Sequence, residues 1–157
     1  MTEHFVTLSV VPPQEAEPLL PILRDALPDE TLCRACVTNP AHTAYAARQA
    51  DKVVGAAVMQ WADESELWLL AVAADRRGQG IGQAIVAALL NEAARRAVRV
   101  MRVGTDSLSP KNLLFYQKCG FRMSHIRRGF FDAFQPPLVV RGIALRDMVV
   151  FDYPLSP

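Results

Sequence analysis

The sequence predicts a mixed α/β fold around one central sheet, and three observations carry that prediction. Alternating, β-branched segments joined by short polar turns fill residues 43–73. A glycine-rich turn then opens a long amphipathic helix. Beyond that helix, strand-like and helix-like segments alternate to the end.

The 157 residues suit one domain spanning 1–157, long enough to bury an ordinary apolar core. A content of 51% hydrophobic and 21% charged residues is that of a globular chain. The net charge of +1 gives no general field for nucleic acid. No apolar run approaches the ~18 residues of a membrane span, and residues 1–18 lack the basic and apolar regions of a signal peptide. A cytoplasmic protein is expected. Three cysteines form no disulfide framework. Cys33 and Cys36 make a lone C-x-x-C, read as two small side chains on a short helix, because zinc would need two further ligands. His4, His42 and His125 are scattered surface or packing residues, and no metal is expected.

The elements follow in order. Residues 4–11 read as a first strand, closed by Pro12-Pro13. Residues 14–36 read as short helices broken by Pro18, Pro21 and Pro28. Asn39-Pro40 marks a turn. Residues 43–49 and 53–61 read as a hairpin about Ala50-Asp51-Lys52. Asp63-Glu64-Ser65 is a second turn, and residues 66–73 a further strand of the meander. In the long helix, Ile81, Ile85, Ala88 and Leu89 share one face, opposite Gln83, Asn91 and Arg95. Residues 98–105 form a strand. Ser109-Pro110 starts a helix, with serine as the cap and proline at the first helical position, and Gly120 ends it. Residues 121–126 and 144–152 are the last strands, with a loop containing Pro136-Pro137 between them.

The chemistry centres on the glycine turn. Gly78, Gly80 and Gly82 alternate between a strand and a helix, preceded by Arg76 and Arg77. Glycine lets a backbone approach a ligand closely, and a helix N-terminus offers free N–H groups and a positive dipole end. Together they favour phosphate. No Lys-Ser or Lys-Thr follows, as a P-loop requires. The spacing also fails the dinucleotide fingerprint, because Gln83 or Ile85 stands where its third glycine belongs.

Arg77 to Gly82 instead resembles motif A of the GNAT acetyltransferases. Asn112, Tyr116, Gly120 and Phe121, one strand later, resemble motif B. The likeness covers residues 53–121 firmly and the first 40 in element order only. The last strands look like those of a bacterial GNAT subgroup. The resemblance implies a sheet of roughly six or seven strands, splayed between the fourth and fifth. It implies acetyl-CoA as co-substrate. The backbone of Arg77, Gly78, Gln79, Gly80, Ile81 and Gly82 would hold the pyrophosphate, and Asn112 would help hold the coenzyme. The edge of Leu70, Ala71 and Val72 would pair with the pantetheine arm like an added strand. A β-bulge commonly splays this strand, though it cannot be read from sequence.

The implied reaction is direct transfer of acetyl to a primary amine. An alkyl ammonium has a pKa near ~10.4 and must lose a proton before it attacks. Glu66, at the start of the fourth strand, is the candidate base; its plainer reading is a solvated turn residue. Asp63 and Glu64 are lesser candidates. Tyr116 is the candidate acid for the departing thiolate, and an N–H near Val72 the oxyanion donor. Cys119 lacks a local histidine partner and is read as packing. The alternative is a non-catalytic acyl-CoA-binding regulatory module. Trp61, Trp68, Phe130, Phe131 and Asp132 are candidates for the acceptor pocket, with an acidic rim suited to a cation. A peptide N-terminus, a polyamine, an antibiotic or an amino acid all remain open as acceptor, and an exposed last strand permits monomer or homodimer.

Overall fold

The computed structural model describes residues 5–155, so His4 lies outside the described residues. Seven strands make one sheet: β1 (Thr7–Val11), β2 (Thr43–Gln49), β3 (Lys52–Gln60), β4 (Glu64–Val72), β5 (Val100–Asp106), β6 (Arg122–Arg127) and, last in the chain, β9 (Met148–Pro154). Their order is β1-β2-β3-β4-β5-β9-β6. All neighbours pair antiparallel except β4 and β5, which are parallel. The helices are α1 (Leu20–Leu23), α2 (Glu30–Thr38), α3 (Ile81–Arg95) and α4 (Pro110–Lys118). The early prolines do break the helical region: two single 3-10 turns precede α1, each with proline in its first two positions.

Three readings are corrected. The turn before β4 ends at Asp63, and β4 begins at Glu64. Ser65 is wholly buried because its hydroxyl closes that turn, donating to Ala62 O and accepting from Ala62 N. The last strand is not an exposed edge. It inserts between β5 and β6 and leaves β1 and β6 at the borders. Residues 139–144 form a small separate hairpin, β7 (Val139–Val140) and β8 (Ile143–Ala144), so Ala144 belongs there and not to the last strand.

Two apolar layers cover the sheet, one on each face. One, with Leu67, Ile81, Ile85, Leu89, Val103, Tyr116 and Phe151, lies under α3 and α4. The other, with Leu19, Leu23, Val37, Val58, Leu69 and Ala71, lies under α1 and α2. Gly55 brings α3 onto the sheet: a Cβ there would stand 2.7 Å from Ile85 Cδ1 and 2.9 Å from Ala71 O. Ser109 caps α4, its hydroxyl accepting from Asn112 N, and Gly120 beyond the helix has φ +97°.

Two irregularities in β4 shape the site. Its parallel ladder with β5 covers only Glu64–Leu67 against Val100–Val103. Opposite β3, Met59 pairs with Leu67 and Val58 with Leu69, so Trp68 is an extra residue, a β-bulge. From the bulge onward, β4 keeps β3 and loses β5. The expected splay between fourth and fifth strands is therefore present, and it begins at Trp68.

Candidate active site

The gap between β4 and β5 has a backbone wall. Ala73 N donates to Val54 O at 2.8 Å. Antiparallel pairs alternate, so Ala71 also turns its polar groups to β3, while Leu70 and Val72 turn theirs to the open side. Of the three residues expected to meet an extended ligand, Leu70 turns both backbone groups and Val72 its N–H to the open side, and Ala71 is committed to the sheet. Val72 O accepts from Arg77 Nε at 3.3 Å, and the Val72 N–H faces the gap.

At the end of this wall the chain turns into α3. Gly78 and Gly80 have φ of +76° and +79°, left-handed values that glycine adopts without strain. A Cβ at either would meet nothing within 4 Å. The space beside them is open, and the first N–H groups of α3 point toward it. A diphosphate fits such a cradle. Gln79 is exposed, while the Ile81 side chain is anchored in the core and fixes the helix start. At Gly82 a Cβ would stand 3.1 Å from the Phe115 ring and 3.6 Å from Val72 Cγ2. Gly82 thus lets α3, α4 and the end of β4 converge. Arg77 is tied by an ion pair to Asp25 in the α1–α2 connection. Asn112 sits exposed in the first turn of α4.

Tyr116 is buried with its ring against Phe115, Phe121 and Phe151. Its hydroxyl has no hydrogen-bond partner among the described residues. Desolvation raises its pKa above the ordinary phenol value, which keeps it a proton donor. The Cys119 thiol is pushed up to about 11 by burial, so it is neutral at physiological pH and suited to packing.

Glu66 stands opposite Arg102 of β5, one residue before the ladder ends, and so at the root of the gap. Its carboxylate is 21% exposed, and Arg127 Nη1 reaches it at 3.4 Å. Asp63 and Glu64 are more exposed, and both pair with Arg99. Directly opposed side chains share a face, so Arg102, Asp152, Met148 and Arg127 lie on the same face as Glu66. Gly104 on this face has no side chain, and Met148 fills the room: a Cβ there would stand 2.2 Å from Met148 Sδ.

The aromatic candidates divide. Trp68 projects at the bulge, its ring 5.2 Å from His42 and its Nε1 donating to Gln60 Oε1. Trp61 packs with the α3 layer, donating to Tyr45 Oη under the Arg96 guanidinium. That is the opposite face from Glu66. Phe130 and Phe131 stack edge to face. Asp132 is held by Arg146, which lowers its pKa, so it adds no net negative charge to a rim. Sequence reasoning missed Arg127, which lies 61 residues from Glu66 and carries no motif. Among the described residues no group of His, Cys, Asp or Glu is placed to hold a metal, and no helix is long and apolar enough to cross a membrane.

Comparison with known proteins bears on this geometry. Residues 40–123, over half the chain, match the family model described as acetyltransferase (GNAT) domain. A Bacillus subtilis protein described as the uncharacterized N-acetyltransferase YvbK is 32% identical over 85 residues. That match spans 54% of this chain and 55% of the relative, about half of each. A GNAT family acetyltransferase from Elizabethkingia anophelis, solved with acetyl-CoA bound, superposes with a TM-score of 0.87 at 27% identity. It covers 98% of this chain and 100% of that one. An IAA acetyltransferase from Bacillus cereus superposes at 0.83 with 28% identity over 96% of this chain and 99% of that one.

Proposed function

The chain belongs to the GNAT family of acetyltransferases, which use acetyl-CoA as co-substrate, and from that premise we propose that it moves the acetyl group onto a primary amine by direct attack. The observation that carries this reading is the join of three features along β4. A glycine cradle for phosphate lies at one end, an open backbone edge beside it, and a carboxylate at the root of the gap.

Acetyl-CoA supplies the acetyl group as a thioester. The residues supply placement and protons. Gly78 to Gly82 hold the diphosphate through backbone N–H groups, and Arg77 adds positive charge. Asn112 helps to hold the coenzyme. Leu70 and Val72 pair with the pantetheine amides as a neighbouring strand would. Glu66 takes a proton from the acceptor ammonium and frees the lone pair that attacks. The Val72 N–H donates to the oxygen on which charge develops. Tyr116 gives its phenolic proton to the departing sulfur. The products are an amide and a free thiol.

Mixing the purified protein with acetyl-CoA and an amine library, and following thiol release, tests the reading. Release that depends on particular amines is expected. Coenzyme binding without release to any amine would favour the regulatory module that binds acyl-CoA and does not turn over.

A further inference from the structure

We propose that the acceptor carries a carboxylate beside its amine, as an amino acid does, and that Arg127 reads that carboxylate. This rests on the acetyltransferase reading above and adds the substrate class. The ion pair at the root of the gap carries it. Glu66 and Arg127 are mostly shielded, with side-chain exposures of 21% and 32%. They meet through one contact of 3.4 Å, long for a charge-assisted bond. Arg102, on the same face, holds Asp152 more closely, with its Nε at 3.0 Å, and stands 3.8 Å from Glu64. Elsewhere Arg146 grips Asp132 with two contacts. Arg127 therefore keeps donors to spare.

An ammonium that approaches Glu66 to give up its proton must compete with Arg127. An amine without an anion would break the pair and leave the half-buried guanidinium without its partner, so it gives up the worth of that ion pair. An acceptor that brings its own carboxylate re-pairs both groups at once: its ammonium on Glu66, its carboxylate on the planar fork of Arg127. Beneath the pair, Met148 fills the place beside Gly104 and Asp152 is already matched by Arg102, while Asp106 and His125 share the face further along it. The Glu66–Arg127 pair thus offers one positive and one negative partner at the root of the gap. A site built to satisfy charged groups rejects analogues that leave them unpaired.

The test compares an amino acid with its own carboxamide, which keeps the ammonium and the shape but not the anion, across the amino acids that release thiol. In the wild type the acid should exceed the amide by about tenfold to a hundredfold in kcat/KM, and Arg127→Gln should bring the ratio near one. Arg127→Lys, which keeps the charge without the fork, should restore part of it. A second readout needs no turnover. Glu66→Gln frees Arg127, so the N-acetylated amino acid should bind this variant several-fold more tightly than the wild type in calorimetry. Equal use of acid and amide by the wild type, a preference that survives Arg127→Gln, or unchanged product binding in Glu66→Gln would each overturn the inference and leave acetyl transfer standing. Absence of thiol release with any amine would overturn both.

Discussion

The two halves of β4 differ more than their sequences suggest. Glu64 to Leu67 is paired with β5, and Glu66 and Leu67 with β3 as well, so at Glu66 the backbone is spent on the sheet and only the side chain is left for chemistry. From Leu69 to Val72 the strand pairs on one side, and its side chains are largely consumed by the apolar layers. What remains there is backbone. A single strand thus divides the labour: its closed half presents a carboxylate, and its open half presents N–H and C=O groups. Ligand binding should therefore tolerate side-chain changes in the closed half, and turnover should not.

Gly80→Val puts that division under the largest strain. Its Cβ would enter the open space beside the turn and oppose a left-handed φ. Coenzyme affinity should fall on the order of a hundredfold or more, because the anion loses its backbone donors. No protein atom lies in the way, so the fold should survive; calorimetry beside thermal unfolding checks both. Normal affinity in the folded variant would remove the turn from the site.

Glu66→Gln tests the closed half. Coenzyme binding should persist while kcat falls roughly a hundredfold and the acidic limb of the pH–rate profile disappears. An unchanged profile would move the base elsewhere. Tyr116→Phe should lower kcat by roughly tenfold to a hundredfold, less with a better leaving group, and leave coenzyme affinity alone. Burial raises the phenol's pKa, so its proton is present across the neutral range, and loss of the tyrosine should not move the acidic limb. Steady-state kinetics with the natural donor decide whether the hydroxyl has a catalytic role.

The smallest effect belongs to Arg77→Ala. Asp25 already neutralises much of this charge, so the coenzyme KM should rise only about threefold to tenfold, and less at high salt. A loss as large as that of Gly80→Val would mean that the guanidinium leaves Asp25 for the ligand.

Much of this architecture was legible before any coordinates. The hairpin at Ala50, the Ser109 cap, the glycine turn and the amphipathic α3 are local, and local chemistry is written in neighbouring residues. The start of β4 was misread because Ser65 looks like a turn residue, whereas its buried hydroxyl serves the turn from inside the strand. The insertion of β9 between β5 and β6 is a matter of topology, which no short pattern carries. Arg127 meeting Glu66 depends on that same topology, as does the placement of Trp61 and Trp68 on opposite faces.

The bulge at Trp68 has one more consequence. It works as a half-period phase slip: Leu67 points into the α3 layer, and so do Leu70 and Val72, although strict alternation would send them the other way. Because both faces are apolar there, the strand reads Leu-Leu-Ala-Val without interruption, and either phase would bury it. The same arrangement fixes what a deletion would do. Removing Trp68 would let the strand close up in unbroken rhythm, because Leu69 to Val72 already hold the partners on β3 that regular alternation from Leu67 would give them. The core and the amides of Leu70 and Val72 that face the gap would stay as they are. What would go is the local bend that a bulge puts into a strand, and with it the device that turns β4 away from β5.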